Sequence, residues 1–247
     1  MSQELSEAIK LIHESNYTIA FTGAGISVES GIPPFRGENG LWSKYDSEVL
    51  DLSYFYRNPE QSWKVIKEIF YDFFGEASPN KAHQVLSKME KLGLLQSIIT
   101  QNIDNLHFEA GSKEVYEFHG NSRMLICKNN HKFDVSSFDL EKLPPKCKEC
   151  GELLKPDFIF FGEGIPEIAY KKSFEASVLA EVVIIVGSTG EVHPASDIPR
   201  IAKQNGAIII EINPEKTLFS NSITDVFLQG KASEVLEELL IGLNKKI

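Results

Sequence analysis

Five consecutive β-branched residues, Val182 to Val186, make a strand as apolar on one face as on the other. A run of this kind suits a strand covered on both sides, as in a parallel sheet sandwiched between helices. Similar runs recur along the chain, separated by amphipathic stretches. The pattern predicts strands at Tyr17–Phe21, Gln96–Thr100, Val115–Phe118, Val182–Val186, Ala207–Ile212 and Asp225–Leu228. It predicts helices at Glu4–Glu14, Pro59–Phe73, Lys81–Leu92, Ala195–Gln204 and Ala232–Leu243. Asn80 and Gly93 bracket the third helix as N-cap and C′ residue. Alternation of this type implies an α/β fold, a doubly wound, Rossmann-like parallel sheet.

At 247 residues the chain has room for one large domain and a small appendage. Two intervals break the alternation. Gly31–Tyr54, rich in glycine and proline, reads as a long functional loop. Residues 121–156 read as a small module inserted between residues 1–120 and 157–247, and they carry all 3 cysteines. An odd number of cysteines (Cys127, Cys147 and Cys150) confined to one short interval argues for a metal clip in a reducing compartment rather than for disulfides. The polar, acidic start does not read as a signal peptide, and no apolar run approaches the ~18 residues of a membrane helix. A cytoplasmic protein without membrane contact is therefore expected. The formal charge of −10 disfavours nucleic acid and favours basic protein segments as partners.

The first strand runs into Thr22-Gly23-Ala24-Gly25-Ile26-Ser27, where small residues let backbone N–H groups approach a pyrophosphate. The third glycine of the G-x-G-x-x-G spacing is missing, so an ordinary tight turn is an equal reading. Val182–Val186 leads into a second such turn, Gly187-Ser188-Thr189-Gly190, and Ala207–Ile212 ends in Asn213. Two glycine turns at strand C-termini are what a doubly wound sheet presents to a nucleotide. Gln101, Asn102, Ile103 and Asp104 follow one strand, and His119 follows another beside Gly120. These groups would meet at one edge of the sheet, with His119 the candidate acid–base group. Asn102 and Asp104 could instead cap a helix, and His13, His83 and His107 are read as packed or surface histidines.

Gly23-Ala24-Gly25-Ile26-Ser27 with Gly31-Ile32-Pro33, Phe35-Arg36-Gly37, the run Thr100 to His107, Phe118-His119-Gly120, Lys155-Pro156-Asp157 and Phe160-Phe161-Gly162-Glu163 together resemble the sirtuins, in family order from about residue 18 to residue 231. The resemblance implies an NAD-dependent protein lysine deacylase that releases nicotinamide and 2′-O-acyl-ADP-ribose. It implies NAD+ as cofactor, acyl-lysine proteins or peptides as substrates, and one structural Zn2+ in a zinc-ribbon module. By that likeness His119 is the general base, and Asn102 and Asp104 serve the nicotinamide pocket with Ile103 beside them. Gln101 is a ribose contact, and Gly23, Ala24, Gly25 and Ser27 form the phosphate-side loop. Phe35 and Arg36 belong to the cofactor loop; Gly187, Ser188 and Asn213 face the adenosine half. Ile159, Phe161, Gly162, Glu163 and Val192 match the substrate-facing segments. The same cofactor cleavage would also serve protein mono-ADP-ribosylation, and a chain without turnover would be an NAD-sensing binding module.

The chain departs from the family pattern in several places. Asn130 stands where the second zinc cysteine is usual, and His131 follows it, so Cys127, His131, Cys147 and Cys150 are the expected ligands. Gly190 replaces an apolar residue, which predicts a looser groove. Ile66 and Ile69 stand where desuccinylases carry a tyrosine and an arginine for the acyl carboxylate. Acetyl or a longer neutral acyl group is therefore expected over succinyl.

Overall fold

A computed structural model describes residues 2–35 and 40–245. In chain order the main elements are α1 (Gln3–Glu14), β1 (Thr18–Thr22), α2 (Leu52–Arg57), α3 (Pro59–Lys67), α4 (Lys81–Lys91), β2 (Ser97–Thr100), α5 (Leu106–Glu109), β3 (Val115–Glu117), β4 (Gly120–Cys127), β5 (Lys132–Asp134), β6 (Leu154–Phe158), α6 (Glu167–Leu179), β7 (Val182–Val186), α7 (Asp197–Gln204), β8 (Ile208–Asn213), β9 (Val226–Gln229) and α8 (Ala232–Asn244). Six strands form a parallel sheet in the order β3-β2-β1-β7-β8-β9. This is the doubly wound order, and its direction reverses between β1 and β7, where a crevice opens beyond the strand ends.

The side chains of β7 explain why a strand so uniformly apolar belongs at the centre. Val182, Ile184 and Val186 pack into one core with Leu5 and Ile9 of α1, Leu86 of α4 and Leu236 of α8. Val183 and Ile185 point the other way, into a second core with Ala176 of α6 and Ile198 of α7. All five side chains are buried, and each contributes about 1.5–3 kcal/mol by leaving water. A third apolar cluster, containing Trp63, Phe70 and Phe160, joins α2 and α3 to the small antiparallel sheet β5-β4-β6. The described helices include none long and apolar enough to cross a membrane.

Helix α4 is capped at both ends by the residues expected. The Asn80 carboxamide accepts the Ala82 N–H at 2.9 Å, His83 Nδ1 accepts the Asn80 N–H at 3.3 Å, and Gly93 takes φ +74°. Several elements differ from the sequence expectation, which contains no α2, α5, β4, β5 or β6 and reads Gly31–Tyr54, where α2 begins, as loop. Pro59–Phe73 is α-helical only to Lys67 and then widens into a π-helical turn over Glu68–Phe73. Helix α6 was not anticipated, because its amphipathic pattern is inverted. It buries Ser173, Ala176 and Ser177 and exposes Ile168, Phe174 and Leu179.

Candidate active site

The two glycine turns interlock at the crossover. The Gly23 N–H donates to Val186 O at 3.0 Å and the Gly25 N–H to Gly187 O at 2.9 Å. Gly187 has φ +63°, and a Cβ there would meet the Ile26 nitrogen at 2.3 Å; one on Gly25 would meet Gly187 Cα at 2.6 Å. Backbone fills the space on both sides, so glycine is required twice over. Side chains then tie the rim together. Gln101 Nε2 donates to Ser188 Oγ at 2.9 Å, and Asn213 Nδ2 donates to Ser188 O at 3.3 Å and to the Glu211 carboxylate at 3.1 Å. That carboxylate is fully buried and also accepts from the hydroxyls of Thr217, Ser220 and Thr224. Four donors offset its desolvation and lock Asn213 in place.

Both turns line a cleft of about 600 Å³. Every residue expected at the cofactor, base and peptide positions lines it except three. Arg36 lies outside the described residues. Ser27 and Asp104 sit behind the wall, in a chain of hydrogen bonds that starts from Asn102. Asn102 Nδ2 donates to Ser27 Oγ at 3.2 Å, and the Ser27 hydroxyl donates to Asp104 Oδ2 at 2.7 Å. Asp104 thus faces the protein interior and orients Asn102 through Ser27. Its burial pushes the carboxyl above the usual range, countered in part by Ser27 and by the Leu106 N–H. His83 lies 3.5 Å from Ser27 Oγ, and both His83 and His107 are buried histidines, as expected from their helical contexts.

His119 lines the cleft as well. Its Nδ1 lies 3.1 Å from the carbonyl oxygen of Gln101, which can only accept, so Nδ1 carries the proton. Nε2 makes no hydrogen bond among the described residues and is left as a lone-pair acceptor. Burial lowers the imidazole pKa, with the Gln101 carbonyl opposing. At neutral pH the ring is therefore neutral and ready to take a proton.

The lining also includes an apolar set, Pro34, Phe35, Trp42, Leu50, Phe70, Phe158 and Phe160. Phe70 is wedged between Phe35 and Phe158, at centroid separations of 6.3 and 5.0 Å. Trp42, Leu50, Phe70 and Phe158 gave no local sequence signal, since each reads as an ordinary core residue until distant segments meet. Ile66 and Ile69 are buried outside the lining, and among the described residues no lysine or arginine lines the cleft. The looser groove expected at Gly190 is not left open, because the buried Phe219 ring lies 3.1 Å from where a Cβ would stand. The Ile159–Glu163 segment runs along the cleft. The Ile159 N–H donates to His119 O, and the Phe161 N–H donates to Leu50 O. Gly162 keeps both its N–H and its C=O without a partner among the described residues.

The third grouping lies in the small sheet. One donor atom from each of Cys127, His131, Cys147 and Cys150 falls within 4.8 Å of all the others. Cys127 Sγ and Cys150 Sγ are 3.8 Å apart, and Cys147 Sγ is 3.4 Å from His131 Nδ1. Tetrahedral zinc with Zn–S of about 2.3 Å and Zn–N of about 2.05 Å requires separations of about 3.8 and 3.6 Å. The donor set fits zinc. His131 Nε2, turned away, lies 3.3 Å from the Glu149 carboxylate, the outer partner that orients a metal-binding imidazole.

The Sir2 family model matches residues 23–194, a span holding both glycine turns, His119 and all four metal-donor residues. The chain belongs to the Sir2 family. An NAD-dependent protein deacylase of Thermococcus kodakarensis is 45% identical over 244 residues, covering 96% of this chain and 94% of the relative. Among solved structures, a Sir2 homolog–NAD complex matches with TM-score 0.90 at 42% identity, over 97% of this chain and 94% of that one. A Sir2–p53 peptide–NAD+ complex matches with TM-score 0.88 at 35% identity, over 98% of both chains. With four protein ligands, any zinc in this Sir2-family chain has no open position for chemistry and is structural.

Proposed function

We propose that this Sir2-family chain is an NAD-dependent protein lysine deacylase that removes acetyl or another neutral acyl group. The observation that carries the reading is His119, a neutral imidazole whose Nε2 has no partner among the described residues, lining one cleft with the glycine turns and with Gly162, whose backbone likewise has none there. When bound, NAD+ would supply an electrophilic ribose carbon, with nicotinamide as the leaving group and the remaining ADP-ribose as the acyl acceptor.

The chain's own groups divide the remaining work. The Gly23–Gly25 and Gly187 turns offer close backbone approach to the pyrophosphate, and Gln101, Ser188 and Asn213 border the nucleoside half. Asn102, held through Ser27 and Asp104, recognises the nicotinamide carboxamide. Phe35 and its aromatic neighbours exclude water from a reacting centre that develops positive charge. His119 Nε2 takes the proton from a ribose hydroxyl, while Nδ1–H stays on the Gln101 carbonyl. The substrate peptide lies extended along Gly162-Glu163 and Val192, with the lysine stem between Ile159 and Phe161. Residues 1–120 and 157–247 act as the cofactor lobe, and residues 121–156 as a zinc-bearing module. The cysteines' arrangement as metal donors suits a reducing, cytoplasmic setting.

Mass spectrometry of a reaction of NAD+ with an acetyl-lysine peptide tests the assignment. We expect 2′-O-acetyl-ADP-ribose from the native protein and none from His119→Ala of unchanged thermal stability. Transfer of ADP-ribose to protein in place of that product, or undiminished turnover by the variant, overturns it.

A further inference from the structure

One buried cation is unused by this mechanism. Lys155, on β6, is only 10% exposed in its side chain, and it is neither a metal donor nor a lining residue of the cleft. Its ammonium has three donors, and three acceptors meet them: Pro156 O at 3.0 Å, Phe158 O at 2.9 Å and Glu163 Oε2 at 2.9 Å. It also stands 4.6 Å from the centroid of the Phe160 ring. Glu163 is correspondingly turned inward. The same Oε2 accepts the Phe160 N–H at 2.8 Å, and the Glu163 N–H closes the turn on Phe160 O at 3.0 Å.

The pair therefore clamps both ends of the segment that borders the cleft. Phe158 is held at the entry and Glu163 at the exit, across Gly162 in a left-handed conformation of φ +96°. Desolvation on this scale is costly, and it is offset only when every donor is met, as it is here. A surface lysine would have supplied charge alone; a buried, saturated one supplies geometry.

We infer that Lys155 is a positioning residue for substrate: through Glu163 and Phe158 O it holds Ile159–Glu163, with its turn at Gly162, in the shape against which the acyl-lysine peptide docks. This rests on the deacylase reading above and names the residue that shapes its peptide edge. Glu163 contributes its carboxylate to the clamp and only its backbone to the peptide.

Steady-state kinetics of Lys155→Met and Lys155→Arg, with acetyl-lysine peptide and NAD+ varied separately, test it. For Lys155→Met we expect the peptide KM to rise about tenfold or more, the scale of a lost buried charge-assisted contact. The NAD+ KM and kcat should stay within about twofold, and Lys155→Arg should recover most of the peptide affinity. If Lys155→Met does not fold, Glu163→Gln, which keeps an acceptor but removes the charge, should show the same split in weaker form. A peptide KM unchanged in a folded variant, or both KM values rising together, overturns the inference. Native protein that deacylates no peptide refutes the functional reading instead, so the two failures are distinct.

Discussion

Gly187→Ala probes the crossover most directly. An alanine at φ +63° costs about 1–2 kcal/mol in the left-handed region. Its Cβ would also meet Ile26 N at 2.3 Å and Gly25 C at 2.5 Å, both backbone atoms that no side-chain rotation can move aside. Overpacking of this kind adds about 1–3 kcal/mol, giving a sum near 3 kcal/mol. For a chain of this size that is a fall in melting temperature of roughly 6–12 °C. Relief of the clash must separate the two turns and lengthen the bond from Gly25 N–H to Gly187 O, so NAD+ affinity should fall with stability. Gly93→Ala is the matched control: φ is +74°, but nothing lies within 4 Å of the added carbon. It should lose only the conformational part, about 1–2 kcal/mol, and bind NAD+ normally. Differential scanning calorimetry and isothermal titration with NAD+ read both effects. Equal destabilisation by the two substitutions, or native NAD+ affinity in Gly187→Ala, would refute the argument from interlocking backbones.

Three further outcomes follow from the same structure. Protein purified without added metal should carry about one zinc per chain, and His131→Ala should bind it less tightly in a chelator competition; a stoichiometry well below one rejects the four-donor site. Burial holds His83 at about 4 instead of 6.5, so between those values the unfolded chain takes up a proton that the folded chain refuses. Stability therefore falls as pH falls through that window, by about 2 kcal/mol at pH 5 from His83 alone, with His107 acting in the same direction; identical urea midpoints at pH 8 and pH 5 contradict it. Acetyl-lysine peptide should be turned over faster than its succinyl counterpart, because no described lysine or arginine lines the cleft to pair with a second carboxylate; a faster succinyl rate overturns that preference.

The parallel sheet was legible because β7 and its neighbours are apolar on both faces, and the site was legible where small residues end those strands. What escaped was of two kinds. Helix α6 faces its small residues inward and its large ones outward, so periodicity points the wrong way. The apolar wall at Trp42, Leu50, Phe70 and Phe158 comes from segments far apart in sequence, joined only by tertiary packing. The family resemblance implies Asp104 in the nicotinamide pocket, whereas the residues alone leave it equally a helix cap. The structure turns it toward Ser27, because its carboxylate finds a hydroxyl and the Leu106 N–H there.

The interlocking of Gly25 with Gly187 also bears on biosynthesis. The first turn leaves the ribosome long before the surface that completes it, which arrives only with residue 187. Until then β1 lacks one of its two neighbours, and an apolar strand edge waits for a distant match. Nascent chains of this protein should accordingly depend on chaperone shelter until β7 and Gly187 have emerged, and should acquire nucleotide affinity abruptly rather than by degrees.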